Sequence, residues 1–202
     1  MFAYRLSTYG NPLRIEPARK PSRYHTGVED SSTQYLCLHP LGPLAEFMRG
    51  NDLRSPLQVR QVRERTWALR VDDEGLIEIT FDNASDFALD AADLVADDPS
   101  RCQELARRLR DELPGIVVPS AALPGTSNVV LFGPRVGSPY LLDPIGAVDI
   151  PAGITAHGGR PIISLLDIVR FAGEPHAEIE ALERGDEFLF DEPDWELPRE
   201  HE

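Results

Sequence analysis

Two arginines, a tyrosine and a glutamate within the first fifty residues carry the side chains best suited to chemistry. They are Arg5, Arg23, Tyr35 and Glu46, and a later pair, Ser120 and Asn128, lies where one apolar run ends and the next begins. The planar fork of an arginine binds phosphate or carboxylate oxygens through two parallel hydrogen bonds. Two arginines that meet in the folded chain would therefore bind a small anion.

The charge of the chain is unevenly distributed, and its cations are concentrated near the start. The net charge of −14 argues against direct nucleic-acid binding, because that function needs a basic surface. Residues 1–27 nevertheless contain five bases and one acid, whereas residues 72–98 contain ten acids and residues 174–202 contain twelve. This asymmetry fits an anion site in the first segment, and a solvated basic face is the alternative that stays open.

The elements that must position these residues can be predicted from composition and periodicity. They are a strand over residues 2–7, a loop over 10–34, a strand over 34–39 and a helix over 39–50, which carry Arg5, Arg23, Tyr35 and Glu46 in that order. Alternation of apolar and polar residues indicates the first strand. The loop is rich in Pro, Gly and Ser, and long loops inside compact domains are often functional. Pro43 suits the first turn of the helix, and Gly50 suits its end.

The rest of the chain predicts further strands and few helices. The predicted elements are a hairpin of strands 67–72 and 76–81, an amphipathic helix over 99–113, strands over 115–120, 128–133 and 139–143, and a short helix over 161–173. Strands that do not alternate regularly with helices indicate an α+β fold. Neither GxGxxG nor GxxxxGK[ST] occurs, so no Rossmann site or P-loop is expected. We place the domain over residues 1–173 and a peripheral acidic extension over 174–202.

Composition also bears on metal sites and location. Cys37 and Cys102 lack zinc-site spacing and the five histidines form no metal-binding pattern, so we expect buried thiols and no metal. No run of 18 apolar residues occurs, so we expect no membrane span. The first ten residues lack the features of a secretory signal, so we expect a cytoplasmic protein. The oligomeric state stays open, a homo-oligomer included.

The candidate residues occur in an order that resembles the RES-domain family. That family is named for an arginine, a glutamate and a serine. The segments that carry the resemblance are Tyr4-Arg5, Ser22-Arg23-Tyr24, Tyr35-Leu36, Ala45-Glu46, and Pro119-Ser120-Ala121 with Asn128. Their order and spacing fit the family over residues 4–135. Ser22 stands where the family usually has glycine, and His25 stands where many members have asparagine.

The resemblance implies both a fold and an activity. The fold would be similar to that of ADP-ribosyltransferases, with a mostly antiparallel, split β-sheet and flanking helices. The activity would be cleavage of the nicotinamide–ribose bond of NAD, by phosphorolysis with inorganic phosphate as co-substrate or by hydrolysis, without a prosthetic group. Transfer of ADP-ribose to a protein or metabolite is the alternative activity. The family also implies a toxin whose partner is an Xre-type antitoxin protein.

Within this resemblance, the site residues have expected roles. Arg5 and Arg23 would bind the pyrophosphate of NAD, and Glu46 would stabilise the oxocarbenium-like ribose as nicotinamide leaves. Tyr35 would stack on the nicotinamide ring. In phosphorolysis, one of the arginines or His25 would hold the phosphate.

Ser120 and Asn128 would orient the ribose or the catalytic strand. Each candidate taken alone also fits an ordinary role: Arg5 and Arg23 as solvated charges, Tyr35 as a core aromatic, Glu46 on a solvated helix face and Ser120 in a turn. A non-enzymatic hypothesis also stays open, in which the acidic segments 72–98 and 174–202 dock a basic partner.

Overall fold

The computed structural model describes residues 1–7, 20–27, 32–59, 61–62, 64–132, 142–144, 150–152 and 163–191. The strands in these ranges are β1 (Phe2–Ser7), β2 (Thr33–Cys37), β3 (Glu64–Val71), β4 (Ile77–Glu78), β5 (Gly115–Pro119), β6 (Ser127–Phe132), β7 (Leu142–Pro144) and β8 (Ile150–Ala152). The helices are α1 (Gly42–Gly50), α2 (Pro56–Val59), α3 (Ser100–Leu109) and α4 (Ala177–Arg184), with 3-10 helices at Ala84–Phe87, Ala91–Leu94 and Ile163–Asp167. None of these helices has the length and apolar character needed to cross a bilayer.

The strands form one sheet in the order β4-β5-β6-β2-β1-β3-β7, with β8 also paired to β3. Apart from the parallel pair β4 and β5, the pairings within the described ranges are antiparallel. The predicted α+β class, with a mostly antiparallel sheet and flanking helices, is therefore confirmed. The strand predicted over 139–143 and the helix predicted over 161–173 lie partly outside the described residues. The described part of the strand lies in β7, and of the predicted helix only Ile163–Asp167 is helical, as the last 3-10 helix.

The predicted hairpin of strands 67–72 and 76–81 is wrong. β3 pairs with β1, β7 and β8, whereas β4 pairs with β5 at the other end of the strand order. Leu69 and Val71 of β3 nevertheless share a buried cluster with Val117 of β5, and Leu76 packs against the same cluster. That cluster also contains residues of β1, β2 and β6, which lie between β3 and β5 in the sheet, so the two predicted strands share a core without pairing along a hydrogen-bonded edge. Alternation reports that one face of a strand is buried and does not identify the neighbouring strand.

Helix α1 holds Glu46 half-buried because its apolar side packs into a second core. Leu44, Ala45 and Met48 are buried there together with Leu165, and this spacing places them on one side of the helix. Pro43 lies in the first turn as predicted. The helix starts at Gly42 rather than at residue 39, and it ends at Gly50.

An ion network fixes α1 against a later segment of the chain. Asp97 accepts hydrogen bonds from Arg49 of α1 at 2.5 Å and from the Gly173 amide at 2.6 Å, and it forms an ion pair with Arg170 at 3.0 Å. Desolvation acts to raise the pKa of Asp97, but the Gly173 amide and the two guanidinium groups outweigh it and lower the pKa to about 2. The helix that carries Glu46 is thereby tied to the segment that precedes α4.

The described part of the acidic extension packs on the domain through α4 and its flanks. His176 and Ala181 are buried, and Glu178 accepts a hydrogen bond from the Gly125 amide at 2.7 Å. Gly125 has a φ of +83°, and a Cβ there would lie 2.7 Å from the Phe188 ring, so this contact needs glycine. The domain boundary at residue 173 stays a prediction.

Both cysteines are buried free thiols, as predicted. Cys37 is on β2 and Cys102 is on the amphipathic helix α3. Burial raises the pKa of both thiols, which keeps them protonated at neutral pH.

Candidate active site

A cavity of about 430 Å³ lies where β1, β2, β6, α1 and the segment around Arg23 meet. Five of the predicted site residues line it, namely Arg5, Arg23, Tyr35, Glu46 and Asn128. Its volume is in the usual range for small-molecule sites. The sixth predicted residue, Ser120, lies behind the cavity and donates a hydrogen bond to Glu46.

The Glu46 carboxylate is held from one side by two donors. Ser120 Oγ lies 3.2 Å from Glu46 Oε1, and Asn128 Nδ2 lies 2.8 Å from the same oxygen. A carboxylate only accepts hydrogen bonds, so both contacts fix which group donates and how the Asn128 amide is oriented. In the described part of the chain, no hydrogen bond engages Oε2. This oxygen is available to accept a hydrogen bond from a ligand or to face a developing positive charge.

Ser120 is a fully buried residue at the end of β5 whose hydroxyl also organises the following turn. Its Oγ accepts hydrogen bonds from the Ala122 amide at 3.3 Å and the Leu123 amide at 3.1 Å. Because these amides supply protons to Oγ, the hydroxyl proton is directed to Glu46. Asn128 lies opposite Val118 of β5, and the β5–β6 pairing therefore brings both donors to one carboxylate oxygen.

Arg23 is carried by a short turn that Tyr35 holds in place. The turn is closed by a backbone hydrogen bond from the Ser22 amide to the His25 carbonyl at 2.8 Å. The Tyr35 hydroxyl lies 2.5 Å from Ser22 Oγ and accepts a hydrogen bond from the Tyr24 amide at 3.0 Å. Tyr35 therefore braces both residues that flank Arg23. Burial raises the pKa of the Tyr35 hydroxyl, although its two hydrogen bonds lower it, so the group stays protonated at neutral pH.

Helix α3 and the residue after it support the same turn from the other side. Gln103 Nε2 donates hydrogen bonds to the carbonyls of Ser22 at 2.9 Å and His25 at 3.4 Å. Arg110 Nη2 donates to the Tyr24 carbonyl at 3.0 Å and to Thr33 Oγ1 at 3.1 Å. Neither residue was predicted from the sequence, because the polar side of an amphipathic helix is by default a solvated face.

The two arginines reach the cavity in different environments. Arg23 Nη1 is buried and makes no hydrogen bond within the described residues. Arg5 Nη1 donates to Gln34 Oε1 at 3.3 Å, and burial lowers the pKa of Arg5. An arginine stays charged even when partly buried. The cavity thus has two cations and one acid in a protein whose net charge is −14.

The structure does not bring His25 to the cavity. Its side chain is fully buried, and its Nδ1 accepts a hydrogen bond from the Gly27 amide at 2.8 Å. His25 and the two arginines were the groups expected to hold the phosphate co-substrate, so only Arg5 and Arg23 remain as candidates. Among the described residues, no group of three histidine, cysteine or acidic side chains could hold a metal ion.

Comparison with known proteins agrees with the order of motifs. The family model described as the RES domain matches residues 3–146. A chain of the crystal structure of the M. tuberculosis MbcT–MbcA toxin–antitoxin complex is similar in fold, with a TM-score of 0.62 and 18% sequence identity. The similarity covers 74% of this chain and 83% of that chain, and it confirms the predicted ADP-ribosyltransferase-like fold class. No curated protein matches significantly.

Proposed function

This chain belongs to the RES-domain family, and we propose that it is an NAD-consuming enzyme that cleaves the bond between nicotinamide and ribose. The observation that carries the proposal is the cavity in which Arg5, Arg23 and Glu46 converge. A dinucleotide has two features that these residues complement. Its pyrophosphate is anionic, and its nicotinamide ribose becomes cationic in the transition state.

The proposed roles follow from the positions of the donors. Arg5 and Arg23 would bind the pyrophosphate, because guanidinium groups form charge-assisted hydrogen bonds with phosphate oxygens. Glu46 Oε2 would face the nicotinamide ribose, while Oε1 is held by Ser120 and Asn128. The carboxylate is then oriented before the substrate arrives, which is the condition for electrostatic stabilisation without reorganisation.

The proposed bond change replaces the C1′–N bond of the ribose with a C1′–O bond. The electron pair of the ribose C1′–N bond moves to nicotinamide, whose ring nitrogen loses its positive charge. An oxygen of inorganic phosphate or of water then bonds to C1′, and the corresponding proton is released. We favour phosphate as the nucleophile because one of the two guanidinium groups would hold it beside the pyrophosphate, and water is the alternative that the assay must exclude.

A toxin role within a toxin–antitoxin pair is part of the proposal. The similar fold in the MbcT–MbcA complex supports an antitoxin protein as the partner of this chain. Expression of the wild-type protein alone should then arrest growth and deplete cellular NAD, and Glu46→Gln should do neither. Growth arrest by the Glu46→Gln variant at equal protein level would separate toxicity from this site.

The enzymatic proposal is tested by nicotinamide release from NAD by the purified protein, with and without phosphate. We expect release that is faster with phosphate and yields a phosphorylated ADP-ribose. Glu46→Gln should lower kcat about a hundredfold or more, and Glu112→Gln, at an exposed glutamate after α3, is the matched control. Label from NAD on a macromolecule would indicate ADP-ribosyl transfer instead, and no turnover would favour a binding module.

A further inference from the structure

A buried histidine next to α4 contacts the residue that holds Glu46. His176 precedes the helix and is only 5% exposed. Its Nε2 lies 3.0 Å from the Ser120 carbonyl oxygen. A carbonyl only accepts hydrogen bonds, so Nε2 must carry the proton. His176 Nδ1 is buried without a hydrogen-bond partner in the described residues, which fits the unprotonated nitrogen of a neutral imidazole.

The contact continues through Ser120 to the carboxylate. His176 binds the carbonyl of Ser120, and the hydroxyl of the same residue binds Glu46 Oε1. The Ser120 amide donates to the Thr126 carbonyl at 2.9 Å. The residue is thus fixed at its amide, its carbonyl and its hydroxyl. Of these three contacts, His176 alone comes from the acidic extension.

We propose that His176 is a positioning residue for Glu46, so that the extension contributes to the active site through Ser120. This inference rests on the proposed function of Glu46. The family model ends at residue 146, and position 176 lies beyond it. Loss of the imidazole would leave the buried Ser120 carbonyl without its donor, which favours relaxation of the turn. A catalytic group that moves by about 1 Å can lose about a hundredfold in rate.

The surroundings of His176 keep the imidazole neutral. The ring of Phe81 lies edge-on with a centroid distance of 5.9 Å. Burial lowers the pKa of His176 and the hydrogen bond to the Ser120 carbonyl raises it, but with the further lowering by the nearby cations Arg170, Arg49 and Arg23 the pKa falls to about 4. The Nε2–H tautomer that binds Ser120 is therefore maintained across the physiological pH range.

Kinetics of three variants test the inference. His176→Leu removes the donor, and His176→Gln places an amide nitrogen near the position of Nε2. Ile179→Ala is the matched control, because it removes partly buried packing from α4 without touching the Ser120 contact. We expect His176→Leu to lower kcat for nicotinamide release about tenfold to a hundredfold with KM within about threefold. We expect His176→Gln to restore most of the loss, and Ile179→Ala to lower Tm with kcat nearly unchanged.

A spectroscopic readout separates this inference from the proposed function. In protein carrying 13C-labelled glutamate, the Glu46 Cδ resonance should shift in His176→Leu and return toward the wild-type position in His176→Gln. An unmoved resonance together with an unchanged kcat would overturn the inference. If wild-type protein released no nicotinamide, the proposed function would fail. The Glu46 Cδ resonance would still show whether His176 positions Glu46 through Ser120. Imidazole 15N chemical shifts typical of an Nδ1–H tautomer of His176 would also overturn the inference. This measurement uses wild-type protein, so it does not depend on whether the variants fold.

Discussion

The Tyr35→Phe substitution separates two roles for the aromatic residue in the cavity. It keeps the ring, which can stack on nicotinamide, and removes the hydroxyl, which braces the turn that carries Arg23. That hydroxyl contacts Ser22 Oγ at 2.5 Å and the Tyr24 amide at 3.0 Å. If the hydroxyl is what matters, binding of NAD should weaken even though the stacking surface is intact.

The magnitude follows from the two lost hydrogen bonds. Each contributes about 1 kcal/mol net, so the substitution costs about 2 kcal/mol. If the whole cost fell on the geometry of the Arg23 turn, KM for NAD would rise at most about thirtyfold, since about 1.4 kcal/mol corresponds to tenfold. If the whole cost instead lowers the free energy of unfolding, Tm should fall by about 4–8 °C. We expect both effects, with a KM increase of about tenfold and a small change in kcat.

Ser22→Ala is the matched control for this prediction. It removes one of the two contacts and leaves the Tyr24 amide bonded to the Tyr35 hydroxyl, so KM should rise only about threefold. The assay is initial-rate nicotinamide release at varied NAD, with Tm measured in parallel. A Tyr35→Phe enzyme with wild-type KM and Tm, beside an inactive Tyr35→Ala, would refute the bracing role and favour stacking alone.

Four other predictions concern single groups. Asn128→Leu removes the shorter hydrogen bond to Glu46 at nearly constant volume, so kcat should fall about tenfold with little change in KM. A fall in kcat together with an equally large rise in KM would point to a binding role. Arg23→Lys keeps the charge but loses the planar fork, so KM for NAD should rise about tenfold, and a wild-type KM would indicate a simple point charge. Asp97 has a folded-state pKa lowered to about 2, so its stabilising contribution at neutral pH should be lost as pH falls from about 4 to 2. Because the carboxylate is 39% exposed, screening reduces that contribution to about 1 kcal/mol, and acid unfolding of Asp97→Asn should lack this step. His176 has a folded-state pKa lowered to about 4, whereas the unfolded value is about 6.5. The unfolded chain therefore gains a proton first, and stability should fall by on the order of 3 kcal/mol as pH drops from 6.5 to 4, a loss that His176→Gln should abolish in thermal melts.

The sequence allowed the elements of the site to be predicted better than their neighbours in the sheet. Alternation predicts β1 and apolar spacing predicts α1, because both patterns follow from local geometry. Alternation could not reveal that β3 pairs with β1 whereas β4 pairs with β5, because side-chain periodicity carries no information about the partner strand. The hairpin prediction failed for that reason.

The residues that touch the cavity were predictable from the ordered motif, whereas those that hold them were not. Glu46 and Asn128 belong to the motif and meet at 2.8 Å. Gln103 lies within helix α3 and Arg110 just beyond its end, and polar residues are ordinary at both positions. Their role depends on carbonyl groups about eighty residues away along the chain. His176 precedes an acidic helix and has no motif. Sequence patterns detect periodicity and motifs, and they do not detect which distant backbone group a side chain will bind.

The donors and acceptors around the cavity favour a ligand with two differently charged parts. One part is anionic and lies near the arginines, and the other becomes cationic and lies near Glu46. Glu46 Oε1 takes its two donors from the protein, so the orientation of the carboxylate does not depend on a ligand. Arg23 Nη1, by contrast, is a donor without an acceptor in the described residues. A ligand that brings acceptors to the arginines and positive charge to Oε2 complements both. The pyrophosphate and the nicotinamide ribose of one dinucleotide satisfy the two conditions at once, because they carry the opposite charges at separate positions in the same molecule.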